Sequence, residues 1–334
     1  MLEESVTYPP SGNYPLYLTA KHYWQPAFEA NSSDPAALTL LFLHAASFHK
    51  ETWMPTLEAL FALASSKGSP VKIREAWCLD CPNHGASGQL NGTTLLQPEF
   101  NNCTFSHERY AQAVYRFLSV GPKEGAPVDF RQRNLVGIGH SQGGVAITIL
   151  QAIVPSFPFS SLILVEPFLS PAGSNHLHRL RELLVKGAYE RRDMWPNREV
   201  AMQGLKRRSR TTKWDPRILG IFVVTSLNIA GTYLGVTLAC SRDQEAAMYR
   251  DPDGTTKPTE TLHRYCRAHP VHLILGGIAS NSPKRVHEAI TDGPFTSVTT
   301  MEGVGHLIVQ EAPDRLGKAM YDALTMNVRG HSKL

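Results

Sequence analysis

The chain has 334 residues, with 33 Lys and Arg against 29 Asp and Glu, for a formal charge of +4. This length accommodates one large domain or a domain with a substantial insertion. An apolar content of 42% excludes collagen-like, coiled-coil and wholly disordered chains. The charge is too small to indicate nucleic-acid binding by itself, and five scattered cysteines are too few for a disulfide scaffold.

The first half of the chain alternates short apolar strands with helical segments. Residues 38–43, Leu-Thr-Leu-Leu-Phe-Leu, are typical of a strand buried on both faces. Residues 162–165 are again typical of a buried strand, whereas residues 14–23 alternate in the manner of a strand. We also predict strands at residues 73–79 and 135–138. Helical spacing predicts helices at residues 52–64, 106–120 and 143–153.

This alternation stops after Pro167 and returns near residue 271. Residues 168–267 are rich in helix formers and predict an inserted, mainly helical cap. Beyond the cap we predict strands at residues 271–275 and 296–301, and helices at residues 282–290 and 309–326. Strands separated by helices predict an α/β fold, with a mostly parallel central sheet and helices on both faces. The predicted divisions are a core of residues 1–167 and 268–328, the cap at 168–267 and an exposed tail at 329–334.

The predicted cap contains an uncharged run, residues 218–241, that is long enough to span a bilayer. Its many hydroxyl and amide side chains, such as Thr225 and Asn228, favour a buried segment that lines an apolar pocket. A membrane-embedded segment is the alternative.

The pentapeptide Gly139-His140-Ser141-Gln142-Gly143 matches the pattern G-x-S-x-G between a predicted strand and a predicted helix. In this setting a serine lies on a tight, strained turn with its hydroxyl exposed above the sheet. Gly139 and Gly143 leave room for that turn, and the N-terminal amides of the helix face developing negative charge. We therefore predict Ser141 as a nucleophile, with an incidental serine in a glycine-rich turn as the alternative.

A serine nucleophile requires a base, and the base requires an acid that orients it. His306 follows the last predicted strand in a glycine-flanked loop, and we predict it as the base. Residues 276–282, after the strand predicted at 271–275, contain no carboxylate, whereas Glu166 directly follows residues 162–165. Glu166 is therefore the predicted acid, and Asp292 or another residue is left as the alternative.

Stabilising an oxyanion requires two backbone N–H donors. One is predicted at Gln142, directly after the nucleophile. The second is predicted at Ala46, in the loop after residues 38–43, with Ala45 as the alternative. Small side chains in this loop allow a substrate carbonyl to approach the backbone.

The chain ends in Ser332-Lys333-Leu334, which matches a peroxisomal import signal. We expect the polar residues 327–331 before it to form a flexible tail that leaves the signal accessible. The N-terminus lacks a basic segment followed by an apolar one, so it does not resemble a secretory signal. We therefore expect location in the peroxisomal matrix and binding by the import receptor, with three arbitrary terminal residues as the alternative.

Together these residues resemble the α/β-hydrolase superfamily, over about residues 38–167 and 270–327. The resemblance is carried by His44-Ala45, by residues 80–87, by residues 139–143, and by residues 303–306 with 310–313. The chain has Ala45 where the family usually has glycine, and it lacks an acid after residues 271–275. Some members carry the acid after the preceding strand, where Glu166 stands. With the terminal S-K-L, the chain looks like fungal peroxisomal acyl-CoA hydrolases and toxin-biosynthesis hydrolases.

The resemblance implies a serine hydrolase that cleaves an acyl-CoA thioester or a carboxylic ester through an acyl-enzyme, in peroxisomal secondary metabolism. This chemistry needs no metal and no redox cofactor. Two alternatives stay open: a carbon–carbon bond hydrolase or lyase on the same fold, and a small-molecule-binding protein that kept the fold.

The expected substrate contacts fall into two groups. Around the nucleophile they are His44, Ala45, Trp53 and His140. In the cap they are the basic residues Arg207, Arg208 and Arg210, because guanidinium groups bind phosphates of the kind that coenzyme A carries. A solvated helix face is the alternative interpretation of this basic cluster, and no nucleic-acid-binding motif accompanies it.

Overall fold

The computed structural model describes residues 1–101, 105–225, 227–229, 235–251, 253–278 and 284–331. The predicted import signal at residues 332–334 lies outside the described residues. Parts of two other predicted segments, 218–241 and 282–290, lie outside them too. The other predicted helices and strands fall within the described ranges.

The described strands form one large sheet and one small one. In chain order they are β1 Leu2–Tyr8, β2 Leu18–Trp24, β3 Leu38–Leu43, β4 Ile73–Leu79, β5 Asn134–His140, β6 Phe159–Val165, β7 Met194–Trp195, β8 Leu227–Ile229, β9 Val236–Leu238, β10 Val271–Gly276 and β11 Ser297–Met301. The large sheet has the order β1-β2-β4-β3-β5-β6-β10-β11. Only β2 pairs antiparallel, with β1 and with β4, so the predicted mostly parallel sheet is confirmed.

Helices cover both faces of this sheet. In chain order they are α1 Met54–Ala64, α2 Gly85–Leu90, α3 Pro98–Asn101, α4 His107–Ser119, α5 Gln142–Leu150, α6 His178–Glu190, α7 Arg198–Lys206, α8 Pro216–Thr225, α9 Arg242–Tyr249, α10 Pro258–Cys266, α11 Lys284–Thr291, α12 Ile308–Glu311 and α13 Pro313–His331. Helices α1 and α13 pack together on one face, and α4, α5 and α10 pack on the other. This arrangement confirms the predicted fold class.

The central strands are apolar because both of their faces are buried. In β3, Leu41 and Leu43 belong to the core cluster on one face, whereas Leu40 and Phe42 belong to the cluster on the other. Successive side chains of a strand point to opposite faces, so a strand between two helical layers requires an unbroken apolar run. Because β3, β5, β6, β10 and β11 run parallel, their carboxyl ends meet at one edge of the sheet, where the loops that follow them converge.

The structure adds detail at the ends of the predicted elements. The strand β1 was not predicted, because its mostly exposed residues, Leu-Glu-Glu-Ser-Val-Thr-Tyr, lack a clear apolar alternation. The single helix predicted at residues 309–326 is divided into α12 and α13. Pro313 begins the second helix, since a proline has no backbone N–H to donate within a continuous one. The second helix continues to His331, so residues 327–331, which were expected to form a flexible tail, are helical.

Five of the helices, α6 to α10, lie within residues 168–267, the segment predicted as a cap. The same segment contains the small antiparallel sheet, of order β7-β9-β8, that the expectation of a mainly helical cap did not include. A cluster of apolar side chains, among them Ile218 and Phe222 of α8, packs against Ala45, Phe48 and Leu307. This segment therefore covers the edge of the sheet where the catalytic loops were predicted, although its limits as a domain stay a prediction.

The uncharged run at residues 218–241 is not one continuous helix. Its first part belongs to α8, and β8 and β9 follow. Among the described residues, no helix combines the length and apolar character needed to cross a membrane.

Candidate active site

Ser141 lies on the sharp turn between β5 and α5. Its backbone has φ 52° and ψ −112°, a left-handed conformation that a non-glycine residue rarely adopts. The turn is held at both backbone groups, because Ser141 N donates to Val165 O at 3.0 Å and Phe168 N donates to Ser141 O at 3.0 Å. The local backbone thus has the strained geometry expected of a nucleophile turn.

The glycines of this turn are required by close approach of backbone. A Cβ at Gly139 would overlap the carbonyl group of Gly143, and a Cβ at Gly143 would overlap that of Leu43. Both overlaps are too close for any side chain, so both positions require glycine. Helix α5 can therefore begin directly against the ends of β3 and β5, with Ser141 at its N-terminus.

His306 and Glu166 lie next to Ser141. The Oγ of Ser141 is 3.1 Å from Nε2 of His306, and Nδ1 of His306 is 3.0 Å from Oε2 of Glu166. A carboxylate only accepts hydrogen bonds, so Nδ1 carries the proton and Nε2 is the acceptor for the Ser141 hydroxyl. The structure thus brings the three predicted catalytic residues into one hydrogen-bonded chain. Asp292, the alternative acid, is exposed.

Glu166 is held from several sides. It directly follows β6, has φ 43°, and its backbone N–H donates to Ile274 O at 2.9 Å. Its Oε1 accepts a hydrogen bond from Gly276 N at 2.6 Å and one from Nε2 of His287 at 3.4 Å. Burial alone would raise the pKa of this carboxyl, but the donors His287, His306 and Gly276 hold its pKa well below its usual range. Glu166 is therefore ionised and fixed in orientation.

His287 was missed in the sequence. It lies on α11, 121 residues from Glu166, and no local motif marks it. The hydrogen bond to Glu166 raises the pKa of its imidazole, against the opposing effect of partial burial. The carboxylate of Glu166 therefore accepts hydrogen bonds from two imidazoles, those of His287 and His306.

We expect His287→Gln to lower the free energy of unfolding more at about pH 5 than at about pH 9. The raised pKa means that the charged imidazole stabilises the folded state at low pH, and that this stabilisation is lost as pH rises through the folded-state pKa. Urea unfolding at both pH values measures the difference. His178→Gln, which breaks an exposed His–Glu pair on α6, is the matched control. A loss for His287→Gln that is equal at both pH values would contradict the expectation.

The two predicted oxyanion donors flank the nucleophile. Gln142 is the first residue of α5, and Ala46 lines the same cavity as Ser141 and His306. Within the described part of the chain, neither backbone N–H has a hydrogen-bond acceptor. Both amides are therefore available to a ligand.

A cavity opens at Ser141 and His306. Its wall is mostly apolar, with one arginine and one tyrosine, and its lining residues are Ala45, Ala46, Phe48, Ser141, Phe168, Leu180, Leu184, Arg210, Tyr249, His306 and Leu307. Ala45 and Arg210, two of the predicted substrate contacts, are in this wall. The cavity suits an apolar group beside the nucleophile.

Three other predicted substrate contacts, His44, Trp53 and His140, do not line this cavity. Trp53 is fully buried among apolar side chains between β3 and α1. His140 is buried beneath His306 and donates from Nε2 to its carbonyl oxygen at 2.9 Å, and burial next to His306 lowers the pKa of His140 to about 3. Burial likewise lowers the pKa of His44 to about 4, and its Nε2 accepts from Cys81 N at 2.9 Å. These three buried side chains therefore lie outside the cavity wall and support the residues of the site from the protein interior.

A second cavity shares Phe48 and Arg210 with the first. Four arginines line it, together with aromatic residues; the arginines are Arg191, Arg192, Arg208 and Arg210. Arg191 pairs with Glu245, but among the described residues no carboxylate forms an ion pair with the other three. Arg207, also predicted as a contact, is exposed and lines neither cavity.

A model of the "Alpha/beta hydrolase family" matches residues 40–319. Abhydrolase domain-containing protein AFT2-1 of Alternaria alternata is 29% identical over 153 residues, which are 43% of this chain and 56% of that protein. Type I acyl-CoA thioesterase mpaH′ of Penicillium brevicompactum is 30% identical over 186 residues, 55% of this chain and 38% of that protein. The chain thus spans about half the length, or less, of these curated relatives.

Two solved structures extend the likeness to nearly the whole chain. Peroxisomal alpha-beta-hydrolase Lpx1 from Saccharomyces cerevisiae has a TM-score of 0.70 and 19% identity, covering 97% of this chain and 90% of its own. The thioesterase domain from the curacin biosynthetic pathway has a TM-score of 0.66 and 15% identity, covering 96% of this chain and 100% of its own. At these identities the likeness establishes the fold.

Proposed function

Because the chain belongs to the alpha/beta hydrolase family, we propose that it hydrolyses an acyl-CoA thioester or a carboxylic ester through an acyl-enzyme on Ser141. The observation that carries this proposal is the hydrogen-bonded chain from Ser141 through His306 to Glu166. The experiment is an assay of purified protein on p-nitrophenyl esters and on acyl-CoAs, beside the Ser141→Ala variant. Ester or thioester hydrolysis that disappears in the variant supports the proposal.

In the first step, Oγ of Ser141 attacks the substrate carbonyl carbon while Nε2 of His306 takes the hydroxyl proton. The carbonyl electron pair moves to oxygen, and the backbone amides of Gln142 and Ala46 donate hydrogen bonds to the resulting oxyanion. The imidazolium of His306 is stabilised by the ionised Glu166. The hydrogen bonds from Ser141 to His306 and from His306 to Glu166 support this step, because they orient the hydroxyl and the imidazole before substrate binds.

The tetrahedral intermediate then collapses. The bond from the carbonyl carbon to sulfur or oxygen breaks, and the leaving thiolate or alkoxide takes the proton from His306. A water molecule next attacks the acyl-enzyme while His306 takes one of its protons. Collapse of the second intermediate returns that proton to Ser141 and releases the carboxylic acid.

The two neighbouring cavities favour a substrate with an apolar end and an anionic end. The acyl group would occupy the apolar cavity at Ser141, and phosphates would lie in the arginine-lined cavity that shares Phe48 and Arg210 with it. Burial and the nearby Arg192 and Arg191 lower the pKa of Arg208, so these guanidinium groups repel one another until an anion binds. The relatives named as acyl-CoA thioesterases support the same substrate class.

We expect the double variant Arg192→Gln/Arg208→Gln to raise KM for an acyl-CoA about tenfold, from roughly 0.5–1 kcal/mol for each charged contact. For p-nitrophenyl butyrate, which carries no phosphate, KM should stay unchanged. Steady-state kinetics on both substrates measures this difference. Arg207→Gln is the matched control, because it removes an arginine of the same segment that lines neither cavity. An equal change on both substrates would contradict a role in binding phosphate.

Peroxisomal residence and binding by the import receptor stay predictions, because Ser332-Lys333-Leu334 lie outside the described residues. The yeast hydrolase of similar fold is named as peroxisomal, which is in keeping with the prediction. A role in secondary metabolism or toxin biosynthesis is likewise a proposal, supported by the resemblance to fungal hydrolases.

A further inference from the structure

Ser47 follows the proposed oxyanion donor Ala46 and has an unusual backbone conformation. Its φ is 71°, in the left-handed region that a residue with a Cβ rarely adopts. Such a conformation persists only when surrounding contacts over-determine it. The rigid peptide that links Ala46 and Ser47 includes the Cα of Ala46, so the position of Ser47 restricts where Ala46 lies; the N–H of Ala46 belongs to the preceding peptide and follows the position of that Cα.

One contact comes from the core of the protein. Ser47 N donates to Nε2 of His84 at 2.9 Å, and Nδ1 of the same imidazole donates to Oδ1 of Asn83 at 2.7 Å. Burial lowers the pKa of His84 well below its ordinary value, so the ring is neutral and Nε2 can accept. The hydrogen bond to the buried His84 thus holds the backbone of Ser47 against the core of the protein.

The other contacts come from the segment predicted as the cap. The Ser47 hydroxyl donates to Oε1 of Glu245, a residue of α9 that is 4% exposed. Tyr249, one turn later, donates to the same oxygen at 3.4 Å, and Arg191 pairs with the other oxygen. A buried carboxylate is costly unless it is paired and hydrogen-bonded, and here both conditions hold.

We propose that Glu245 is a positioning residue for catalysis, which holds Ser47, and through it the Ala46 amide, in the arrangement that binds the oxyanion. This inference rests on the proposed function. Glu245 touches neither substrate nor the reacting atoms, so its effect falls on the transition state rather than on substrate binding. Glu245 belongs to the segment predicted as the cap, and it thereby holds in place the loop of the core that carries Ala46 and Ser47.

The test uses Ser47→Ala, Glu245→Ala and the double variant. On p-nitrophenyl butyrate, which carries no phosphate, each single variant should lower kcat by about 10- to 100-fold while KM changes by less than about twofold, because a misplaced donor weakens only transition-state binding. The double variant should lose no more than the worse single variant, since both changes break one contact. Affinity for a trifluoromethyl ketone, whose adduct carries an oxyanion, should fall in proportion to kcat/KM.

Glu190→Ala is the matched control, because Glu190 is an exposed glutamate of α6 beside Arg191. Unchanged kcat in Ser47→Ala and Glu245→Ala would overturn the proposal, and so would losses that multiply in the double variant. If Glu245→Ala fails to fold, Ser47→Ala with its inhibitor affinity still decides the question, since that change removes one hydroxyl. Ser141→Ala in the same assay separates the two claims: activity retained in it would refute the proposed function, whereas its loss alongside normal Ser47 and Glu245 variants would refute only the positioning role.

Discussion

Replacing Ser141 with alanine should lower kcat for ester and thioester hydrolysis by about a million-fold. The change removes one oxygen atom, the only atom that the proposed mechanism joins covalently to the acyl group. This oxygen atom lies 3.1 Å from Nε2 of His306. Its removal takes away a single small atom, so no bulky side chain needs to move. Turnover of p-nitrophenyl esters and acyl-CoAs by the two proteins measures the effect.

Ser66→Ala is a suitable control for this comparison, because Ser66 is exposed and distant in sequence from the catalytic loops. Mass spectrometry after treatment with a fluorophosphonate should find the adduct on Ser141 in the unmodified protein and none in Ser141→Ala. If Ser141→Ala turns over substrate at the rate of the unmodified protein, Ser141 is not the nucleophile. An active protein without the Ser141 adduct would lead to the same conclusion.

Glu166→Gln should lower kcat by about 10⁴-fold with little change in KM. The carboxylate of Glu166 holds the proton of His306 on Nδ1, at 3.0 Å, and leaves Nε2 free to accept from Ser141. An amide in the same place can donate to Nδ1 and thereby stabilise the wrong tautomer. Steady-state kinetics on a p-nitrophenyl ester measures the loss.

The pH dependence adds a second readout to this comparison. The donors around Glu166 hold its pKa well below its usual range, so the carboxylate stays ionised as pH falls to about 5. The kcat of Glu166→Gln should therefore stay far below that of the unmodified protein at every pH from about 5 to about 9. Asp292→Asn is the control, because Asp292 was the alternative acid and is exposed. A large loss in Asp292→Asn with none in Glu166→Gln would reverse the assignment.

Much of the fold was predictable because its signals are local. A strand between two helical layers needs apolar side chains on both faces, and that requirement marked β3 and β6 in the sequence. The strands β1, β7, β8 and β9 escaped prediction. They are short or exposed and depend on pairing with distant partners, such as Met194 with Thr237, which no local pattern records.

The sequence by itself determined the strand–turn–helix around Ser141, because the glycines beside it are required within a few residues of chain. It also pointed to His306 and Glu166, because loops at the carboxyl ends of parallel strands converge at one edge of the sheet. The tertiary structure alone decided which side chains surround them. It placed His287 against Glu166 and Glu245 against Ser47, and it buried Trp53 away from the cavity. These contacts join segments 121 and 198 residues apart, and their geometry arises only when the whole core packs.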